Sequence, residues 1–384
     1  MPRRKSTRRG RGEGTVSERP DGTWTGQVTT GYTEDGRQKR KTVYGKSQAD
    51  ALAKLAEVKQ RLASGTYSDT KLTVKEYLKQ WLEEKERTLK PTTLEQYTSC
   101  IDRSIVPIIG SVKLDKLTPL QVQNLVNQIH DVSGAARAAK CRTVLFSAYK
   151  QAIRWQLVTR NPVEATDPVK EPHREMTLWE PEQAARFLDV AREHRLYAFF
   201  YLSMATGLRR GELLGLRWVD IEGSLLHVKQ SLVKVGSKLI FSTPKTRKGF
   251  RTVALSPDVL EVLLLHRQRQ DAERAVLGDA WAHPELVFAS EVGTPLNPDN
   301  LKRVRDYLMN KADVPPVRLH DLRHLHASLA IRGGMDAKVL ADRLGHSRAS
   351  FTLDRYTHLF ESQRAQSAVS LLDFLPRSDP DTVN

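Results

Sequence analysis

With 384 residues, of which 39% are hydrophobic and 28% charged, the chain is long enough for two or three domains and apolar enough to give them cores. Its formal net charge of +16 favours a polyanionic partner such as nucleic acid, although a basic protein without such a partner would carry the same excess. The two cysteines exclude a disulfide framework and indicate a reducing compartment, and no apolar run resembles a membrane-spanning helix or a secretory signal.

The first 65 residues are predicted to form a small β-rich domain that binds DNA. Residues 1–12 are a tail rich in glycine and arginine, which cannot bury a core alone. Asp-Gly turns at 21–22 and 35–36 separate strand-like segments, and Ser47 starts a helix, so a three-stranded sheet packed on one helix is expected. Its basic residues favour DNA binding, with a solvated basic face as the alternative. The apolar face of the helix is expected to contain Leu52, Leu55, Val58 and Leu62.

Residues 72–168 are predicted to form an all-α domain of four or five helices. Capping signals at Thr73 and Thr118 open two of these helices. Two more are expected over 91–105, beginning at Thr92 or Thr93, and over 134–157. Basic residues in this domain either contact DNA phosphates or form a solvated face, and the sequence leaves both readings open for Lys90, Arg103, Arg137, Lys140, Arg142 and Lys150.

A charged, proline-rich segment at 167–175 is predicted to be a hinge before an α-rich domain over 173–376. Three strands, at 225–228, 238–241 and 252–255, are expected to form one small antiparallel sheet in this domain. The fold class is therefore multidomain and mainly α. Helices are predicted at 181–192, 197–206, 257–277, 298–309, 320–331, 337–344, 352–360 and 363–375.

Three stretches that lie far apart in the chain carry residues suited to breaking a phosphodiester bond. They are ATGLRRGEL at 205–213, HDLRH at 320–324 and LGHSRASFTLDRYTHLF at 344–360. Breaking such a bond requires neutralised non-bridging oxygens, an in-line nucleophile and a proton for the leaving oxygen. The planar guanidinium of arginine matches two phosphate oxygens and stays charged, so Arg209 and Arg323 are the predicted phosphate clamps.

Tyrosine, histidine and lysine are predicted to fill the other roles. Tyr356 is the expected nucleophile, since two nearby cations would lower the pKa of its phenol. His320 and His346 are expected to donate hydrogen bonds or relay protons. Lys245, in the turn between two predicted strands, is the expected general acid, and Lys248 in the same turn competes for that role.

Several readings compete with this chemistry. A single tyrosine on a C-terminal helix more often serves packing, and Glu212 beside the arginine pair is explained by a salt bridge. His320 and His324 have the spacing of a metal-binding pair, but HDLRH lacks the glutamate of HExxH and Arg323 would repel a cation, so no metal is predicted. The chain contains no G-x-S-x-G elbow and no P-loop motif, which excludes the α/β-hydrolase and P-loop classes.

Taken in order, ATGLRRGEL, PKT, LHDLRH and LGHSRASFTLDRYTHL resemble the tyrosine recombinase (phage integrase) family, and the close resemblance covers residues 177–375. The preceding helical segment resembles the family's core-binding domain. The first 65 residues resemble the arm-binding domain of phage and conjugative-element integrases. Matched motif by motif, the resemblance assigns catalytic roles to Arg209, Lys245, His320, Arg323, His346 and, as the nucleophile, Tyr356.

The resemblance implies site-specific DNA strand exchange through a 3′-phosphotyrosine intermediate, integrating and excising a phage or mobile element without a cofactor. It also implies four protomers on two duplexes in the cytoplasm of a bacterial host, with core and arm attachment sites, a host DNA-bending protein and an excisionase as further partners. A non-catalytic regulator, a topoisomerase or nuclease, and a resolvase or transposon recombinase are the alternatives. A regulator would be expected to lose Arg209, Arg323 or Tyr356, all of which are present.

Overall fold

A computed structural model of the chain describes residues 14–32, 35–63, 71–171, 178–244, 247–345 and 356. The chain divides into two compact units, Met1–His173 and Arg174–Asn384. This division falls within the predicted hinge, while the finer domain bounds stay predictions. None of the helices in the described part of the chain has the length and apolar character needed to span a membrane.

The first unit begins with the predicted three-stranded sheet and its helix. The antiparallel strands, in the order β1-β2-β3, are followed by a helix that packs against them. The side-chain oxygen of Ser47 caps this helix by accepting a hydrogen bond of 3.2 Å from the backbone N–H of Asp50. These elements are β1 (Thr15–Glu18), β2 (Trp24–Tyr32), β3 (Gln38–Gly45) and α1 (Gln48–Ala63).

The buried face of α1 differs from the prediction by one position. Leu52, expected on the apolar face, is 49% exposed, and the buried residues are Ala51 and Leu55. The reason is a close approach between the helix and β3, because a Cβ added to Gly45 would lie 2.4 Å from the backbone nitrogen of Ala51. Only small residues fit at this contact, and it turns the helix so that Leu52 faces outward.

The rest of the first unit is a helical bundle whose predicted caps are present. Thr73 and Glu76 form a reciprocal capping box, and Thr118 and Gln121 form a second one. The second helix begins at Pro91 rather than at Thr92 or Thr93, because proline suits the first helical position, where no N–H partner is needed. The helices are α2 (Val74–Glu86), α3 (Pro91–Cys100), a π-helix (Ile101–Ile105), α4 (Val106–Ile109), α5 (Pro119–Ser133) and α6 (Ala135–Arg154).

Two of the basic residues in this bundle serve its own structure. Arg137 donates hydrogen bonds to the hydroxyl of Ser104 at 3.1 Å and to the carbonyl oxygen of Ser99 at 2.7 Å. Arg142 donates to the hydroxyl and the carbonyl oxygen of Thr166 at 3.0 and 2.8 Å. These guanidiniums join α6 to neighbouring segments, a structural role that neither of the two sequence-based readings included.

The second unit is built around α8, which is buried on almost every side as its apolar sequence predicts. It packs against α7, α10 and α12, and aromatic rings such as Phe187, Phe199 and Phe288 fill the contacts. The helices are α7 (Pro181–Ala191), α8 (Tyr197–Thr206), α9 (Arg210–Leu214), α10 (Pro257–Leu277), α11 (Pro298–Lys311), α12 (Asp321–Arg332) and α13 (Ala337–Leu344).

The expected single sheet is wrong, because the described strands of this unit form two separate sheets. One has the strand order β4-β5-β8 and the other is a β6-β7 hairpin. The hairpin packs on α9, where a Cβ added to Gly211 would lie 2.8 Å from the carbonyl oxygen of Leu232. The strands are β4 (Ile221–Glu222), β5 (Leu225–Val228), β6 (Ser231–Val235), β7 (Lys238–Ser242) and β8 (Arg251–Ala254).

Two of the helices predicted near the C-terminus cannot be compared with the structure in full. Of the segment 352–360, only Tyr356 is described, and its backbone is helical. The segment 363–375 lies outside the described residues.

Candidate active site

Arg209 is presented by a tight turn between α8 and α9. Gly207 ends α8 with a φ of +63°, and a Cβ at this position would lie 2.6 Å from the ring of His326, so glycine is required twice over. Arg209 then caps α9. Its backbone N–H and its Nη1 each donate a hydrogen bond of 2.8 Å to the carboxylate of Glu212.

Glu212 is a buried carboxylate that joins two guanidiniums. Besides Arg209, it accepts hydrogen bonds of 3.0 and 2.8 Å from Nη1 and Nη2 of Arg251, which is itself buried. Burial alone would raise the pKa of Glu212, but hydrogen bonds and positive charge from Arg251 and Arg209 hold it below its ordinary value. The salt bridge expected for Glu212 is therefore present with Arg209, and Arg251 is a second partner that sequence analysis missed.

Arg323 lies on α12 and is only 3% exposed. Its Nη1 donates a hydrogen bond of 2.7 Å to the carbonyl oxygen of Gly207, and its Nη2 donates one of 2.6 Å to that of Leu344. Burial, together with the charges of Arg209 and Arg251, lowers the pKa of Arg323 to about 9. The guanidinium is thus still charged at neutral pH. The positive charges of Arg209 and Arg251 beside it favour the binding of a further anion.

The three arginines converge on the C-terminal end of α13. Arg251 donates a hydrogen bond from Nε to the carbonyl oxygen of Arg343 at 2.7 Å, and Arg209 donates one from Nη2 to that of Gly345 at 3.0 Å. With the contact from Arg323 to Leu344, three successive carbonyls each bind one guanidinium. The last carbonyls of a helix lack intrahelical partners and carry partial negative charge, which explains why they attract these cations.

Tyr356 is buried against α12 and α13, with 1% of its surface exposed. Its phenol oxygen lies 2.5 Å from Nδ1 of His324, and the two ring centroids are 5.9 Å apart. The ring of His324 also meets the ring of His320 edge-on at 5.0 Å. The tyrosine expected to be the nucleophile is therefore held beside the helix that carries Arg323.

His320 stands at the start of α12, where it is exposed. Although His320 is exposed overall, the surrounding protein removes part of the water around its imidazole. This desolvation is the largest of the effects that lower the pKa of the ring, and the charge of Arg323 adds to it, so the ring is neutral at neutral pH. Lys245 and His346 lie outside the described residues. Lys248 is exposed.

The structure thus brings four of the six predicted site residues into one region, namely Arg209, His320, Arg323 and Tyr356. The sequence did not predict the contribution of His324, although its spacing of four from His320 places both on one helical face. Nor did it predict that of Arg251, because nothing local distinguishes this arginine from the basic residues around it. Within the described ranges, no group of three His, Cys, Asp or Glu side chains is arranged to hold a metal ion.

Comparison with protein families decides the identity of the chain. The model of the phage integrase family matches residues 178–363, and that of the phage integrase N-terminal SAM-like domain matches residues 73–130. The chain belongs to the tyrosine recombinase (phage integrase) family. This recombinase is 29% identical over 370 residues to the "Tyrosine recombinase XerC-like" protein of Caldanaerobacter subterraneus subsp. tengcongensis, a match that covers 90% of this chain and 95% of the relative.

Solved structures share the fold of this recombinase. The Tn1549 transposon integrase in complex with circular intermediate DNA matches with a TM-score of 0.63 and 18% identity over 78% of this chain and 100% of that one. A lambda integrase tetramer bound to a Holliday junction matches with a TM-score of 0.55 and 22% identity over 90% of this chain and 96% of that one. At these identities the likeness establishes the fold.

Proposed function

We propose that Tyr356 is the nucleophile with which this site-specific DNA recombinase cuts and rejoins DNA through a 3′-phosphotyrosine intermediate. The observation that carries the proposal is the 2.5 Å contact between the phenol oxygen of Tyr356 and His324, one residue after Arg323 on α12. Since Arg323 also binds the carbonyl oxygen of Gly207, the three separated motifs meet in one place.

Arg209 and Arg323 bind the non-bridging oxygens of the scissile phosphate. Arg209 and Arg251 bond Glu212, and all three arginines bond the end of α13. Burial and the charges of Arg209 and Arg251 lower the pKa of Arg323, so an incoming phosphate anion relieves unfavourable charge. Each guanidinium has five N–H donors, and those not used by the carbonyls can turn to phosphate oxygens. Removal of one such transition-state contact costs on the order of 3 kcal/mol.

The reaction needs a nucleophile and a proton donor on opposite sides of the phosphorus. The oxygen of Tyr356 forms a bond to phosphorus while the bond to the 5′ oxygen breaks, and Lys245 gives that oxygen its proton. His320 and His346 donate hydrogen bonds to the phosphate. A 5′-hydroxyl from another duplex then attacks the phosphotyrosine and releases Tyr356. The energy of the original bond is kept in the covalent intermediate, which is why no nucleotide cofactor is required.

The assembly that performs this exchange contains four protomers on two duplexes. Support comes from the lambda integrase tetramer on a Holliday junction, whose fold this chain shares. Residues 1–65 hold arm-type sites, residues 72–168 bind the core site, and residues 173–376 catalyse. A host DNA-bending protein and an excisionase set the direction of exchange on the DNA of a bacterial host. The product is an integrated or excised phage or mobile element.

A relaxing topoisomerase or nuclease would use the same nucleophile, so the outcome of the reaction has to be measured as well. A recombinase joins strands from two different duplexes, whereas a topoisomerase reseals one duplex and a nuclease leaves it open. The distinct basic N-terminal domain favours a recombinase, because a topoisomerase does not need to hold distant sites.

Covalent trapping on core DNA taken from the region that flanks the gene tests the proposal. A nick beside the scissile phosphate lets a short fragment diffuse away, so the adduct accumulates and is read on a denaturing gel. The Tyr356→Phe variant is expected to bind this DNA and to form no adduct. Tyr201→Phe, which removes another hydroxyl of the same unit, bonded to Asp258, is the matched control and should form the adduct. A covalent band that persists in Tyr356→Phe moves the nucleophile elsewhere.

A further inference from the structure

The contact between Tyr356 and His324 supplies a chemical step that the predicted residue set leaves unassigned. Attack by a phenol requires loss of its proton, and the ordinary pKa of tyrosine is near 10. The ring nitrogen bonded to the phenol oxygen is Nδ1 of His324. Both side chains are buried, so the pair is shielded from water, which would otherwise take up the proton.

The position of His324 is fixed by its neighbours on α12. Its ring meets the ring of His320 edge-on, at 5.0 Å and an interplanar angle of 87°, and also contacts the ring of Tyr356 at 5.9 Å. His320 lies one helical turn earlier, at the exposed start of α12. The two histidines are thereby suited to different tasks, with His324 facing the phenol and His320 standing nearer to solvent.

The charges around His324 both oppose and favour its protonation. Arg323 and Arg209 lie in the same region and repel a second cation, while the ring of His320 is neutral. The carboxylate of Asp321, three positions earlier on α12, interacts with the charge of His324 and is shared with Arg318. Of the helices packed against α12, α8 contains no charged residue, and on α13 Arg343 bonds His326 rather than His324.

His326 and His324 differ in the groups that their ring nitrogens contact. Its Nδ1 must donate to the carbonyl oxygen of Met204 at 2.9 Å, and its Nε2 accepts from Nε of Arg343 at 3.3 Å. Both ring nitrogens of His326 are therefore engaged by groups that do not titrate near neutral pH. The Nδ1 of His324 instead faces a hydroxyl, which can give up its proton.

We propose that His324 is a catalytic residue of this recombinase and acts as the general base for Tyr356. As the phenol oxygen bonds to phosphorus, its proton moves to Nδ1 of His324 and the bond from phosphorus to the 5′ oxygen breaks. On rejoining, the same proton returns to the phenol oxygen. The positive charge formed on His324 is balanced by Asp321 and by the negative charge that builds up on the phosphate. This inference rests on the proposed role of Tyr356 as the nucleophile.

The decisive variant is His324→Asn. The side-chain oxygen of asparagine can accept a hydrogen bond from the phenol near the position of Nδ1, but it cannot take up a proton. Single-turnover cleavage at saturating core DNA is expected to be about 100-fold slower or worse, within the usual range for loss of a general base. His326→Asn is the matched control, because it changes a buried histidine of the same helix without touching Tyr356.

The pH dependence of cleavage separates a base from a residue that only orients the phenol. The intact enzyme should cleave faster as pH rises through the histidine range, reach a plateau, and keep this profile in His326→Asn. The inflection should be missing from His324→Asn. If His324→Asn retains the rate and the profile of the intact enzyme, or if the intact enzyme shows no inflection in that range, His324 is not the base.

Two further experiments distinguish an error in the role of His324 from an error in the role of Tyr356. A substrate with sulfur as the bridging 5′ atom needs no proton on its leaving group, so it should rescue Lys245→Ala but not His324→Asn. Rescue of His324→Asn by sulfur would make His324 part of the acid side and overturn its role as the base. A covalent adduct in Tyr356→Phe would instead remove the nucleophile on which the inference rests.

Discussion

The guanidinium of Arg323 donates a 2.7 Å hydrogen bond to the carbonyl oxygen of Gly207, although the two residues lie 116 positions apart in the chain. This bond fastens the turn that presents Arg209 to the helix that carries Arg323. Leu344, which accepts the other bond from Arg323, adds the end of α13. The cationic part of the site is therefore held together by hydrogen bonds within the chain itself, so that little reorganisation is needed at the moment of reaction.

The Arg251–Glu212 pair predicts a large effect on stability. Arg251→Ala leaves the buried carboxylate of Glu212 with less compensation, so the free energy of unfolding should fall by about 3 kcal/mol or more. Denaturant unfolding of the full chain measures this, and the exposed neighbour Arg210→Ala should change it by no more than about 0.5 kcal/mol. An Arg251→Ala protein as stable as Arg210→Ala would show that the pair does not stabilise the unit.

Because His326 is buried, the free energy of unfolding is expected to depend on pH in a specific way. Burial is the main cause that lowers its pKa from 6.5 to about 4, and the charge of Arg343 adds to it. The unfolded chain therefore binds a proton more readily, so the stabilising contribution is complete above pH 6.5 and is lost as pH falls towards 4. The loss is on the order of 3 kcal/mol.

Unfolding of the intact chain and of His326→Asn, measured between pH 7 and 4, isolates this contribution. Other groups titrate in both proteins, so the difference between the two curves is the relevant quantity. Stability of the intact chain should decline more steeply than that of the variant as the pH falls. Parallel curves would mean that His326 takes up its proton equally well in the folded and unfolded chain.

Lys245 and Lys248 are rivals for the general acid, and their variants should behave differently. Lys245→Ala is expected to cleave an ordinary phosphodiester very slowly and a bridging 5′-thiolate substrate at nearly the normal rate. Lys248→Ala should be mildly affected on both. The reason is that a thiolate leaves without a proton, which bypasses the missing acid. The opposite pattern would assign the role to Lys248.

The N-terminal domain predicts a separation between cleavage and integration. A fragment that begins near Thr70 should cleave isolated core sites but fail to integrate between full attachment sites, because tethering of a second DNA site is lost. The isolated domain should protect short repeats outside the core, with affinity that falls steeply as salt rises. Full integration by the fragment would make the first 65 residues a dispensable basic appendage.

Sequence patterns predicted those parts of the fold that depend on neighbours in the chain. The caps at Thr73 and Thr118 and the buried helix α8 follow from spacing and composition alone. The turn of α1 that buries Ala51 instead of Leu52 depends on its contact with Gly45 on another element, which periodicity does not encode. Strand β6 was missed because polar residues interrupt it and its support comes from α9.

In the candidate site, too, the sequence predicted residue types within motifs but not contacts between distant residues. Motif order predicted roles for Arg209, Arg323 and Tyr356, since these residue types suit phosphate binding and nucleophilic attack. The sequence did not reveal the groups that contact these residues. Arg251, which shares Glu212 with Arg209, is separated from Glu212 by 39 positions in the chain, and His324 is separated from Tyr356 by 32. Which of two histidines on one helical face touches the phenol depends on where Tyr356 packs against α12 and α13.

Mapping the covalent adduct is the sharpest test of Tyr356 as the nucleophile. The intact enzyme is trapped on nicked core DNA, treated with nuclease and trypsin, and its peptides are analysed by mass spectrometry. We expect a nucleotide remnant, joined through its 3′-phosphate, on the peptide that begins at Tyr356, with fragment ions that place it on the phenol. A remnant on any other residue, or an active enzyme that yields no adduct, would show that Tyr356 is not the nucleophile.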